Sequence, residues 1–105
     1  MKVLFDQGTP APLRQFLLKH EVMTAFEKGW STLQNGDLIR IAELEGVEVL
    51  VTTDSNLKYQ QDLRHRKIRI VVLLSTSWLK IRPKVASVVA ATEGIIPGGY
   101  VEVPI

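Results

Sequence analysis

Along the chain, short unbroken apolar runs alternate with stretches whose apolar residues recur every three or four positions. The first run, Val3-Leu4-Phe5 after Lys2, predicts a strand. Gly8-Thr9-Pro10 then turns the chain into a helix on which Leu13, Phe16 and Leu17 share a face, with Thr9 as N-cap and Pro10 at the first helical position. A short strand follows at Glu21–Thr24, then a helical turn through Ala25–Lys28 that Gly29 ends. Asn35 or Gly36 opens the next helix, where Leu38, Ile41 and Ala42 line one face and Gly46 supplies the stop. The third strand is Glu48–Thr52. After Asp54 comes a polar helix, Ser55–Leu63, and then the strand Ile68–Leu73, whose continuous Ile, Val and Leu content marks burial on both faces. A helix from about Pro83 to Thr92 leads through Ile96-Pro97-Gly98-Gly99 to a last strand, Tyr100–Val103.

Strands separated by helices at such short intervals imply right-handed βαβ crossovers and a mainly parallel sheet covered on both sides. The class is therefore α/β, a three-layer sandwich in one domain spanning residues 1–105, and no repeat, low-complexity segment or linker divides it. The strand order 2-1-3-4, with the fifth strand at an edge, puts strands one and three side by side.

Composition narrows the picture further. Hydrophobic residues make up 46% of the 105 and charged residues 23%, which is too apolar for intrinsic disorder and ordinary for a packed core. The absence of cysteine removes disulfides, iron–sulfur clusters and thiolate zinc sites, and fits a reducing, cytoplasmic setting. No apolar stretch approaches the roughly 18 residues of a membrane span, and Asp6 interrupts any signal-peptide core, so no membrane association is expected. A net charge of +2 permits contact with nucleic acid without demanding it.

The candidate chemistry lies where apolar strands end on carboxylates. Lys2-Val3-Leu4-Phe5 stops at Asp6, and Val49-Leu50-Val51-Thr52-Thr53 stops at Asp54. On neighbouring parallel strands both acids emerge at the same carboxyl edge, where open α/β sheets bind ligands. A third acid, Asp37, sits in the first turn of the helix before strand three, with Ile41 and Leu44 at i+4 and i+7 placing it at the border of the buried face. Clustered carboxylates suit Mg²⁺ or Mn²⁺, hard ions that activate water and stabilise phosphoryl charge. Each acid also has a structural use: Asp54 before Ser55-Asn56 can cap a helix, and Asp37 suits a helix N-terminus through the dipole alone.

The segments Leu4-Phe5-Asp6-Gln7-Gly8-Thr9-Pro10, Asn35-Gly36-Asp37-Leu38-Ile39-Arg40-Ile41-Ala42 and Val49-Leu50-Val51-Thr52-Thr53-Asp54-Ser55-Asn56-Leu57 resemble, in order and spacing, the three signature segments of the small prokaryotic PIN-like domain proteins. The likeness covers roughly Met1 to Leu73. It implies a PIN-like fold and an endoribonuclease acting as the toxin of a toxin–antitoxin module. In that family an acidic cluster matching Asp6, Asp37 and Asp54 is catalytic and binds Mg²⁺ or Mn²⁺. The implied partners are an RNA substrate and a small cognate antitoxin protein, and the resemblance also admits a homodimer. Relatives commonly carry Asp-Glu-Asn after strand one, Asp where this chain has Asn35, and Thr-x-Asp-x-Asp after strand three, whereas these places hold Gln7, Asn35 and Asn56. Asn35 and Asn56 are then supporting residues, and a site with fewer negative charges holds a cation less tightly. A PIN-like protein that keeps fold and partner binding without catalysis is the alternative those amides raise.

Other residues offer less. Lys58, Arg64, Arg66 and Lys67 are candidates for following an RNA backbone; such a basic run is equally a solvated loop before a buried strand. His20 and His65 lack partners at metal-ligand spacing, while Trp30, Trp78 and Tyr59 serve either as base-stacking platforms or as core anchors. Gly98-Gly99 precedes a strand instead of following one, which excludes a phosphate loop. A receiver-like phosphoacceptor reading draws on Asp54 and Thr76, but receivers need an acidic pair after strand one, where this chain has Asp6-Gln7, and a lysine after strand five.

Overall fold

The apolar runs become neighbouring strands because each is apolar on both sides and hides completely only between two helical layers. The computed structural model describes residues 1–60, 63 and 65–105, with the backbone alone at residues 59 and 60. Strands β1 (Lys2–Phe5), β2 (Glu21–Thr24), β3 (Val49–Thr52), β4 (Arg69–Leu73) and β5 (Tyr100–Val103) form one sheet in the order β2-β1-β3-β4-β5, and every pairing is parallel. The expected strand order is thus found, with β5 at the edge beyond β4. No antiparallel pair interrupts the sheet among the described residues.

Side-chain alternation divides the core in two. Leu4, Leu50, Ile70 and Val72 face a layer built from helix α1 (Asn35–Leu44) and the short helix α2 (Leu57–Gln60), where Leu38, Ile39, Ala42, Leu57 and Trp30 close the packing. Val3, Phe5, Val49, Val51, Val71 and Leu73 face the opposite layer. That layer consists of a 3-10 segment, Ala11–Phe16, with helices α3 (Trp78–Ile81) and α4 (Val85–Gly94), and contributes Leu13, Leu17, Ile81 and Val88. Fully burying a Leu or Val side chain contributes about 1.5 to 3 kcal/mol, so these two clusters fix the three-layer α/β sandwich. No helix among the described residues is long and apolar enough to cross a membrane.

Four details differ from the pattern read in the sequence. Pro10 occupies the position before the 3-10 segment, and Thr9 does not cap it, because its hydroxyl is used elsewhere. The helix expected to begin near Pro83 starts with α3 and a 3-10 turn over Arg82–Lys84, since Ser77 and Trp78 already begin a helical turn that buries Ile81. The crossovers also do not share one hand. The β3-to-β4 and β4-to-β5 links step sideways in the same direction but run on opposite layers, so the last crossover has the opposite hand to the one before it. Of the polar helix expected over Ser55–Leu63, the structure shows Leu57–Gln60, and part of the remainder lies outside the described residues.

One exposed ion pair ties the 3-10 segment to the turn after β2. The Arg14 guanidinium donates through Nη1 to Glu27 Oε2 at 3.1 Å, through Nη2 to Glu27 Oε1, and also to the Val22 carbonyl. Glu27 Oε1 accepts the Thr24 backbone N–H as well, at 3.0 Å. The Arg14 hydrogen bond first, and the Thr24 N–H second, hold the Glu27 carboxyl down from 4.5 to about 2. A folded pKa below the unfolded one stabilises the fold above pH 4.5, and that contribution is lost as pH falls towards 2. Urea midpoints measured across this interval should therefore fall more steeply for the wild-type chain than for Glu27→Gln. Parallel curves would locate the acid sensitivity elsewhere.

Candidate functional site

The site follows from the register of β1 against β3. Val3 pairs with Val49, Leu4 with Leu50 and Phe5 with Val51. One further step aligns Asp6 with Thr52, and the Asp6 N–H donates to the Val51 carbonyl at 3.1 Å. Asp54 stands two residues beyond that level. Alternation gives Asp6, Thr52 and Asp54 the same side as Leu4 and Leu50, which is the side of α1. Asn35, the first residue of α1, is consequently brought to the same rim.

The side chains interlock there through neutral donors. Asp6 accepts the Thr9 hydroxyl at 2.8 Å on Oδ1 and the Thr52 hydroxyl on Oδ2. Thr52 Oγ1 in turn accepts the Asp54 backbone N–H at 3.1 Å, so one buried hydroxyl links the two strand-end acids. Asp54 Oδ2 accepts the Asn35 amide at 2.6 Å, and Oδ1 accepts the Asn56 backbone N–H at 2.9 Å. The Asn56 bond is an Asx turn, and the Leu57 N–H also donates to the Asp54 carbonyl at 3.3 Å, so the structural use of Asp54 is realised alongside its place at the rim. Both carboxylates are half-buried, and neither forms an ion pair among the described residues.

Asp37 lies apart from this arrangement. It is exposed and pairs with Arg40 one turn along α1, at 3.2 Å. Leu38, Ile39 and Ala42 are the buried residues of that helix; of the pair expected to carry Asp37 inward, Ile41 packs partly buried on the core while Leu44 is 77% exposed. Among the described residues, no three acidic or histidine side chains converge closely enough to hold a metal ion. The structure brings together Asp6, Asp54, Asn35 and the backbone of Asn56.

The basic residues divide by sheet edge. Lys58 follows Asp54 on the carboxyl side, where its ammonium pairs with Glu102 at 3.3 Å and lies 5.7 Å from the Tyr100 ring centre. Burial first, and the Glu102 charge second, raise the Tyr100 phenol; the Asp54 carboxylate adds a smaller push in the same direction. Arg66 and Lys67 precede β4 and so occupy the amino edge, at the opposite end of the strands from Asp6 and Asp54. Glu43 of α1 accepts the Arg66 guanidinium at 2.8 Å and the Lys67 backbone N–H at 3.0 Å. A loop entering a parallel strand cannot flank residues leaving its neighbour, so this run does not border the carboxylates. Arg64 lies outside the described residues.

Beside Asp6 opens a cleft of about 110 Å³, lined among others by Asp6, Gln7, Gly8, Trp30, Ser31 and Asn35. A larger cleft of about 220 Å³ lies in the opposite layer between the 3-10 segment and α4, where His20 Nε2 meets Glu93 at 2.9 Å. It contains none of the rim residues, and the chemistry favours the smaller cleft. Thr52 was not singled out in the sequence, because threonine in a strand reads as β-propensity, and Thr9 was read only as a helix cap. The register would have identified Thr52, since it is the residue level with Asp6. No protein-family model, curated protein or solved structure matches this chain.

Thr52 offers a test of the link. Thr52→Val keeps the branched shape but removes the donor to Asp6 and the acceptor for the Asp54 N–H in a fully buried position. It should cost about 1 to 3 kcal/mol in urea unfolding, and Thr52→Ser should recover much of that loss. Equal stability of wild type and Thr52→Val would show that the hydroxyl does not tie the rim together.

Proposed function

We propose that this chain is a PIN-like endoribonuclease that uses Mg²⁺ or Mn²⁺ at Asp6 and Asp54 and acts as the toxin of a toxin–antitoxin module. The observation that carries the reading is the pair of strand-end carboxylates, joined through Thr52 and supplied only with neutral donors. Two half-buried negative charges without a counter-charge nearby attract a cation. Asp6, Asp54 and the Asn35 amide form an all-oxygen donor group once the amide turns its oxygen inward, which suits an ion that keeps several waters of its own. Bound there, the ion supplies Lewis acidity to a phosphodiester and to a water. The chain's own contribution is orientation: Thr9 and Thr52 fix the Asp6 carboxylate, and Asn56 fixes that of Asp54. RNA is the substrate and a small cognate antitoxin the partner.

Asp37 has no part in this centre unless its exposed pair with Arg40 opens. A second reading draws on that pair and on the Asn35 amide, which already occupies one Asp54 oxygen. In it the chain keeps the fold and partner binding without cleavage.

Incubation of a short RNA with the purified chain and Mn²⁺ should give cleavage that EDTA stops. Asp54→Asn keeps the shape and should leave the circular dichroism spectrum unchanged. It should lower the rate by more than the roughly 10- to 100-fold seen on losing an outer-shell partner of a metal site. Equal cleavage by the two proteins would assign the activity to another source. Absence of cleavage in both, with an antitoxin still bound, would establish the non-catalytic reading.

A further inference from the structure

The cleft beside Asp6 differs from the rim in chemistry. Asp6 is its single charged lining residue; Gln7 and Asn35 bring amides, Ser31 a hydroxyl, and Trp30, Ala25, Leu33 and Leu38 an apolar body. Such a wall recognises a flat, neutral, hydrogen-bonding ring better than it recognises an anion, which the Asp6 carboxylate repels. Beside it the segment after β2 carries Lys28, whose ammonium lies 5.2 Å from the ring centre of the lining residue Trp30. A cation beside a slot with an aromatic wall is an arrangement that meets the phosphate of a single-stranded nucleotide while its base enters the slot.

We infer that this cleft is the base-recognition subsite of the proposed ribonuclease and accepts a single-ring base, a pyrimidine, from the nucleotide whose phosphate lies at Asp6 and Asp54. The inference rests on the nuclease reading for the position of the phosphate. Size selects the ring. A cavity of about 150 Å³ holds benzene, and this cleft has about 110 Å³ with an open mouth. Being smaller than that cavity, the cleft takes a six-membered ring only in part, edge-first with its sugar outside, and leaves more of a purine's fused rings uncovered. The Gln7 amide, carrying a donor and an acceptor together, matches the edge of cytosine or uracil.

Trp30 reports on its own surroundings. The chain has two tryptophans, so Trp78→Phe leaves Trp30 as the sole indole. In that background and with Mg²⁺ present, cytidine and uridine 5′-monophosphates should quench the fluorescence saturably, and adenosine 5′-monophosphate should do so roughly tenfold more weakly, as expected for loss of about one well-made contact. Ser31→Leu fills the mouth and should abolish the quenching. Should that variant lose its native circular dichroism, Gln7→Ala takes its place, with affinity roughly tenfold lower through one lost hydrogen bond. Equal quenching by purine and pyrimidine, quenching that survives both variants, or no saturable quenching would overturn the inference. Pyrimidine quenching in a chain that cleaves nothing supports the subsite and removes the nuclease reading; cleavage without quenching retains the nuclease and removes the subsite.

Discussion

The pairing of β1 with β3 is the contact on which the rest of the molecule depends. These two strands are not consecutive in sequence, since β2 and α1 lie between them in the chain. Their register places four fully buried side chains, Leu4, Phe5, Leu50 and Val51, at the centre of both core layers. A slip of one residue would exchange the two faces and bring Asp6 and Thr52 to the wrong layer. The Asp6 N–H donates to the Val51 carbonyl, and the Thr9 hydroxyl shares its single proton between that carbonyl and Asp6 Oδ1, so the ladder ends in polar contacts that hold it in register. The bonds that close the sheet are also the bonds that orient the first carboxylate.

From that pairing follows a separation of charge. In an all-parallel sheet every strand leaves at one edge and enters at the other, which assigns Asp6 and Asp54 to one end and Arg66 and Lys67 to the far end, where Glu43 receives them. The rim then contains carboxylates, hydroxyls and amides, with Lys58 as a neighbouring cation already engaged with Glu102. An RNA held at this rim would be steered by a bound cation and by Lys28 and Lys58, and much less by the densest basic run of the sequence. Net charge of +2 says nothing of this distribution; connectivity decides it.

Much of this was legible in the sequence, and for identifiable reasons. Val3-Leu4-Phe5 and Ile70-Val71-Val72-Leu73 are apolar on both sides, a signature that only a covered parallel strand satisfies, so class, strand order and the meeting of Asp6 with Asp54 followed from periodicity and turn residues. Helix faces were less legible. Asp37 was placed on the border of the buried stripe through Ile41 and Leu44, yet Leu44 is exposed, because α1 rests on the sheet through Leu38, Ile39 and Ala42. Thr9 looked like an N-cap, but a buried carbonyl and a carboxylate within reach outcompete a short 3-10 segment for its hydroxyl. The basic run was judged by density alone, and density carries no information about which sheet edge a loop occupies.

The amide at position 35 deserves a physical reading beyond that of a missing charge. Asn35 Nδ2 stands 2.6 Å from Asp54 Oδ2. An aspartate in that place would set two carboxylates at hydrogen-bond distance in a half-buried setting, an arrangement that requires a shared proton or a cation to be tolerated. Asparagine replaces that repulsion with a donated hydrogen bond, so the rim is self-satisfied without an ion. The consequence is a weaker hold on any cation together with a fold that does not depend on one. The backbone N–H of Asn56 adds a second neutral donor to Asp54, one that any residue but proline would supply there. The Asn35 amide and the Asn56 backbone therefore pre-form the geometry in which the Asp54 carboxylate is presented beside Asp6.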